Sequence, residues 1–248
     1  MISLNLYEEY LNGDHLEVWN TISFLEYDKL QDEEKSIITK IINEALLRID
    51  YNIVVVLNIL KENGFDYINF GDINSLDQSY LIRDPDDYNK LRQEFINNDL
   101  DLKIPLFFAF FSGFFKVIDF RGLFQQFEVK ILLDALFIES PNSLNDFEDR
   151  KFELAYKGGS VVGCLFSPDA FIKENTSGDL GPCILLSEKT VIDNFIINYS
   201  DDMPMTFVEY LRFCFHWSCF PNLFWASEEE REPFLPILRT VRESLKRF

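Results

Sequence analysis

Twelve residues constrain this chain more than any others: Ile104-Pro105-Leu106-Phe107-Phe108-Ala109-Phe110-Phe111-Ser112-Gly113-Phe114-Phe115. A run this apolar must leave water, either across a bilayer or inside a core. Lys116 interrupts it, well short of the ~20 residues that a membrane-spanning helix needs. The run therefore predicts a buried element around which the remainder folds. Phenylalanine accounts for 26 of the 248 residues, and a chain of that length can bury a sizeable core without disulfide staples.

Charge sets the second constraint. The formal net charge is −19, and it is placed unevenly. Residues 1–103 carry 21 acidic and nine basic side chains, whereas the last 21 residues carry five of each. Such a surface repels phosphate, which argues against nucleic acid and anionic membrane as partners and favours a basic protein. Solubility alone explains the same charge. Met1 to Tyr10 holds Glu8 and Glu9 and lacks both a basic leader and an apolar stretch, so a cytoplasmic location is expected. Cys164, Cys183, Cys214 and Cys219 form no C-x-x-C pair and read as reduced, buried thiols. Asn175-Thr176-Ser177 and Asn198-Tyr199-Ser200 match glycosylation acceptors, without consequence in that compartment.

The patterning predicts one α+β domain over 1–248: helix-rich over 1–100, strand-rich over 101–200 and helical over 201–248. Residues 4–63 read as helical. Asp32 is the expected cap, followed by an apolar face of Ile37, Ile38, Ile41, Ile42, Ala45 and Ile49. A second helix is expected through Ile53, Val56, Leu57 and Leu60, with Gly64 as its left-handed stop; the β-branched run Ile53–Val56 suits a strand equally. Asp84-Pro85-Asp86-Asp87 has the form of a helix start. Lys116–Phe120, Leu132–Ile138, Val161–Phe166 and Cys183–Leu186 are short apolar runs that read as strands of a mainly antiparallel sheet. Gly158-Gly159 and Ser177-Gly178-Asp179-Leu180-Gly181-Pro182 read as turns. Thr206-Phe207-Val208-Glu209 fits a capping box, and a last helix is expected over Glu232–Phe248, starting at Pro233 or Pro236.

Chemistry is hard to place. The two histidines are His15 and His216, and no nucleophile elbow, phosphate loop or dinucleotide fingerprint occurs. Cys214-Phe215-His216-Trp217-Ser218-Cys219 is the sharpest grouping, as a thiolate–imidazole pair or as metal ligands. Its spacing is unfamiliar for zinc, and on a helix Cys214 and His216 diverge by about 200°. Core thiols are the expected reading, with no metal and no cofactor. The carboxylates are too numerous for any pair to be singled out as acid and base. Trp217, Phe220, Leu223, Phe224 and Trp225 crowd into nine residues ahead of Glu228-Glu229-Glu230. They either pack under the last helix or form an interaction patch.

Three segments resemble a group of uncharacterised bacterial proteins: Phe166-Ser167-Pro168-Asp169 leading to Lys173-Glu174-Asn175-Thr176-Ser177-Gly178, then Phe207-Val208-Glu209-Tyr210-Leu211-Arg212, then Cys219-Phe220-Pro221. In that group the last element reads Gly-Gly-Phe-Pro; here Ser218 and Cys219 stand in place of the glycines. The acidic α+β plan with a Thr-Phe-x-x-Tyr-Leu helix also resembles SMI1/KNR4-like immunity proteins. Neither resemblance supplies catalytic residues. The resulting expectation is a non-catalytic, immunity-type module that binds a basic protein through Glu33, Glu34, Asp86, Asp87, Trp217, Phe220 and Trp225. The alternative is an enzyme with its site near His216, Cys214 and Cys219, aided by Arg212. Oligomeric state is left open.

Overall fold

The computed structural model describes residues 2–67, 80–97, 100–120, 122–124, 136–156, 159–166, 183–197 and 205–248. Both glycosylation triplets, the Ser177–Pro182 turn, Gly158, Leu132 to Ala135 of the second strand run, and residues 167–178 of the resemblance lie outside these. The fold is α+β.

Two short helices, α1 (Leu6–Asn12) and α2 (His15–Ile22), precede the 31-residue α3 (Asp32–Glu62). The expected break within α3 does not occur. Ile53, Val56 and Leu60 extend the stripe of Ile38, Ile41, Ile42, Ala45 and Ile49 on one buried face, and that burial outweighs the modest helix cost of β-branched residues. The cap is Gln31, one residue before the expected Asp32. The Glu34 carboxylate reaches back to accept from the Gln31 N–H at 2.9 Å. Gly64 has φ +74°, a left-handed stop after the last turn.

Strands β1 (Phe65–Tyr67) and β2 (Tyr80–Ile82) lead to α4 (Pro85–Ile96), where the Asp84 side chain accepts from the N–H groups of Asp86 and Asp87. The phenylalanine run is α5 (Leu106–Phe114), buried on every side from Leu106 to Gly113. It passes directly into β3 (Phe115–Asp119), followed by β4 (Gly122–Phe124), β5 (Phe137–Glu139) and α6 (Leu144–Asp149). Next come β6 (Lys151–Tyr156), β7 (Gly159–Leu165), β8 (Cys183–Leu185), β9 (Phe195–Ile197) and β10 (Met205–Thr206). The chain closes with α7 (Phe207–His216), a 3₁₀ turn over Pro221–Phe224, α8 (Glu228–Arg231), a second turn over Glu232–Phe234, and α9 (Leu235–Ser244). Residues 245–248 are not helical, contrary to the expected final helix, because Leu245 turns to an extended conformation.

All strand pairings among the described residues are antiparallel. The sheets have orders β10-β9-β8-β7-β6, β2-β3-β5 and β1-β4. No helix among the described residues is long and apolar enough to cross a membrane.

The segment before β9 joins the helical and strand-rich parts. The carbonyls of Val191 and Ile192 accept from the N–H groups of Leu106 and Phe107, at 2.8 and 2.7 Å. These are donors that the first turn of α5 would otherwise leave orphaned in the core. On its other side, Asp193 N–H donates to Ser23 and Tyr27 N–H donates to Thr190. The Asp193 carboxylate is fully buried and accepts from the N–H groups of Asn194 (2.9 Å) and Val208 (3.1 Å). Burial nevertheless raises its pKa to about 6, against hydrogen bonds from Thr206, Val208 and Asn194 that favour the anion, while Glu209 nearby adds to the rise.

Two predictions follow from this packing. Phe110 is 2% exposed, with the Arg92 guanidinium 4.9 Å from its ring centre, so Phe110→Ala should cost ~3–5 kcal/mol in urea unfolding. A loss under about 1 kcal/mol would contradict core packing. For Asp193 the native state holds its proton more tightly than the unfolded chain. Its contribution therefore favours folding below an unfolded pKa of about 4 and is lost as pH rises through about 6. Wild type should lose about 2–3 kcal/mol relative to Asp193→Asn between those limits. Parallel pH profiles for the two proteins would contradict the assignment.

Candidate functional site

The residues expected to bind fall into three environments. Glu33, in the first turn of α3, is exposed, as are Asp86 and Asp87 in the first turn of α4. Glu34 must be withdrawn from that surface. It is 7% exposed and accepts the main-chain N–H groups of Gln31 and Ile2, which hold its carboxyl below the ordinary glutamate value. Its role is to cap α3 and tether the start of the chain. The remaining acids do not form one cluster. Tyr88, next to Asp87, donates to Asn43 at 3.3 Å, and Asn43 lies ten residues along α3 from Glu33, or about 15 Å of helix. Asp87 also lies in the field of Arg83, whose guanidinium donates to the carbonyls of Ser112 and Pro141.

The aromatic segment divides between core and surface. Phe220, expected at an interface, is 1% exposed and packs edge-on against Phe65 at 5.4 Å; it is a core residue, and Leu223 is buried with it. Trp217 is half-buried beneath Arg242, whose guanidinium lies 5.1 Å from the ring centre and donates to the His216 carbonyl at 2.8 Å. From Trp217 a line of rings runs outward, with Phe224 5.9 Å from Trp217 and Trp225 4.6 Å from Phe224. Trp225 is 60% exposed. Immediately beyond it, Ser227 caps α8, leaving Glu228, Glu229 and Glu230 exposed.

Two members of this surface escaped the sequence reading. Phe213 lies 5.5 Å from Phe224 and supports it from within α7. Its spacing of one helical turn before Trp217 is the signal that could have found it. Arg242 could not have been found that way, because it comes from α9 through tertiary packing.

The cysteine–histidine grouping does not converge. Cys214 and Cys219 are fully buried. Burial pushes the Cys214 thiol up to about 12, and burial with Cys214 alongside raises that of Cys219. Neither provides a thiolate at neutral pH. His216 is exposed, its pKa lowered by partial burial and by Arg242. Arg212, the proposed helper, is engaged with the main-chain oxygen of Phe248. Among the described residues no group of three or more His, Cys, Asp or Glu side chains could hold a metal ion.

The turn that orients this surface is strained. Helix α7 begins with the expected capping box: Thr206 accepts from Glu209 N–H, and Glu209 accepts from Thr206 N–H. It ends in a Schellman motif, in which Cys219 N–H donates to Cys214 and Ser218 N–H to Phe215. That motif wants glycine at its left-handed position, yet Ser218 has φ +54° and Cys219 +66°. The Ser218 hydroxyl is also buried, with no hydrogen-bond partner among the described residues. Ser218→Gly should therefore stabilise the protein by about 0.5–2 kcal/mol, relieving both costs against the added freedom of the unfolded chain. Cys219→Gly should change little, since strain relief is offset by loss of a buried thiol. If urea unfolding finds Ser218→Gly destabilising, the side chain contributes packing that outweighs its strain.

Comparison with family models, with curated proteins and with solved structures gives no match to the chain.

Proposed function

We propose that this protein is a non-catalytic cytoplasmic binding module of the immunity type, which docks a basic protein through the aromatic surface at the end of α7. The observation that carries this reading is Trp225, a large ring 60% exposed and set edge-to-face against Phe224, next to three exposed glutamates. Binding hot spots are built from such rings, and acids beside them select and steer a cationic partner. The net charge of −19 adds long-range attraction for a basic protein and repulsion for phosphate. Glu33, Asp86 and Asp87 contribute to that field from their separate helix starts, while Trp217 and Phe213 support the docking rings.

The two contributions separate kinetically. A photo-crosslinker at the exposed position 222, beside Trp225 and leaving its ring in place, should capture the partner from cell extract and identify it for purified binding measurements. Trp225→Ala should then raise the dissociation rate at least about tenfold. Reversing Glu228, Glu229 and Glu230 together should slow association and flatten its salt dependence, with less effect on dissociation. A partner whose binding ignores both changes would refute the docking surface. If binding depends on Trp225 but ignores salt, the acids serve solubility alone.

A further inference from the structure

Beyond α9 the chain lies as an extended segment held by side chains of α3 and α7. Asn52, 1% exposed in the middle of α3, donates from Nδ2 to the Lys246 carbonyl and accepts the Lys246 N–H on Oδ1, both at 2.8 Å. One side-chain amide thus meets both main-chain groups of a residue, as a neighbouring β-strand would. Arg48, one turn earlier, donates to the Arg247 carbonyl at 2.8 Å. Arg212 from α7 donates through Nε at 2.5 Å, and through a second guanidinium nitrogen, to the main-chain oxygen of Phe248. Three successive residues are held through backbone groups, independently of their identity.

Two side chains add selectivity. The Lys246 ammonium sits 4.0 Å from the centre of the Tyr51 ring. Phe248 is 3% exposed, edge-on to Phe215 at 5.9 Å and 5.7 Å from the Arg212 guanidinium. Arg247 is exposed, so the middle position is unconstrained by burial.

The groups that hold the segment have anchors of their own. Arg48 pairs with Glu44 at 2.7 Å, contacts His15 Nε2, and lies 5.1 Å from the Tyr10 ring. Arg212 also donates to the His15 carbonyl at 3.4 Å. Departure of the segment would leave two arginines and a buried amide short of acceptors in a groove with fixed geometry. That arrangement favours rebinding of an extended backbone. Lys246 and Arg247 are themselves exposed, so leaving uncovers chiefly one phenylalanine ring.

We infer that the groove between α3 and α7 is a recognition site for an extended Lys-x-Phe segment, filled here by residues 246–248 as a displaceable strap. Its occupant in trans is a partner protein chain presenting the same basic-x-aromatic pattern. The inference uses none of the Trp225 surface and stands apart from it.

The test uses full-length Lys246→Ala/Phe248→Ala protein, which weakens the strap and leaves every group that holds it. A fluorescent peptide of residues 243–248 should bind this variant at least about tenfold more tightly than wild type, because the wild-type groove is mostly occupied. Binding should vanish when the peptide phenylalanine becomes alanine, or when Asn52→Ala is added to the protein. Failure of the peptide to bind a folded variant, or equal binding of the alanine peptide, overturns the inference. A second measurement needs no variant. In wild type the Lys246 amide, bonded to Asn52, should exchange at least about 100-fold faster than those of Ile49 and Ile53, by local detachment. Exchange at the same rate as those core amides would mean that the segment leaves only on global unfolding, and overturns the inference equally.

Discussion

The packing of Phe207 governs this fold. Its ring meets Phe107, Phe108, Phe111 and Phe166 at 6.0, 5.2, 5.0 and 5.1 Å between centres. Three of these come from α5, and Phe166 comes from the end of β7. Phe207 is the first residue of α7, so the aromatic cluster fixes where that helix begins. The Schellman turn ten residues later then fixes where Trp217 and the surface rings emerge. Aromatic pairs add to the hydrophobic transfer energy only in particular orientations, and three of the four contacts are tilted far from parallel, at 72–89°. A buried helix of phenylalanines alone would pack in many ways; a perpendicular ring from a second element selects one.

The segment before β9 does for polar groups what Phe207 does for rings. A helix wholly inside a core cannot give its first N–H groups to water, and α5 has proline, not a capping side chain, at its N-cap. The carbonyls of Val191 and Ile192 replace the missing cap. The next residue, Asp193, binds the first turn of α7 through Val208 N–H. One stretch thereby terminates two helices at once, with a buried charge as part of the cost.

Elements with local signals were legible in the sequence. Asp84-Pro85, Thr206 with Glu209, Gly64 and the phenylalanine run all have the roles their residue types dictate, because caps, turns and wholly apolar runs are decided within a few positions. What remained illegible depends on distant partners. Whether the β-branched run Ile53–Val56 is helix or strand is settled by tertiary burial, and Glu34 is drawn inward by Ile2 as much as by its own cap. The end of α9 is decided by Asn52, 194 positions away. At the candidate site, the mixture of Phe220 and Trp225 within six residues was unreadable for the same reason: the positive φ values at Ser218 and Cys219 break the helical periodicity that would separate inward from outward positions.

Exposed acids and an exposed tryptophan are unequal as evidence for a binding surface. Glu33, Asp86, Asp87 and Glu228 to Glu230 all lie in first turns of helices, where a negative side chain complements the helix dipole by about 0.3–1 kcal/mol. Each has a reason to be there in the absence of any partner. Trp225 has no such reason in its side chain: it closes the Pro221–Phe224 turn only through its main-chain N–H, and its ring is 60% exposed although the same segment buries Phe220 and Leu223 completely. Ser218 and Cys219 accept left-handed backbone in the turn that leads to it. Strain in the support and apolar area left exposed both oppose folding stability. A selective pressure other than stability is the simplest account of keeping them together, and the docking of another protein proposed above would supply one, since binding hot spots are built from such rings.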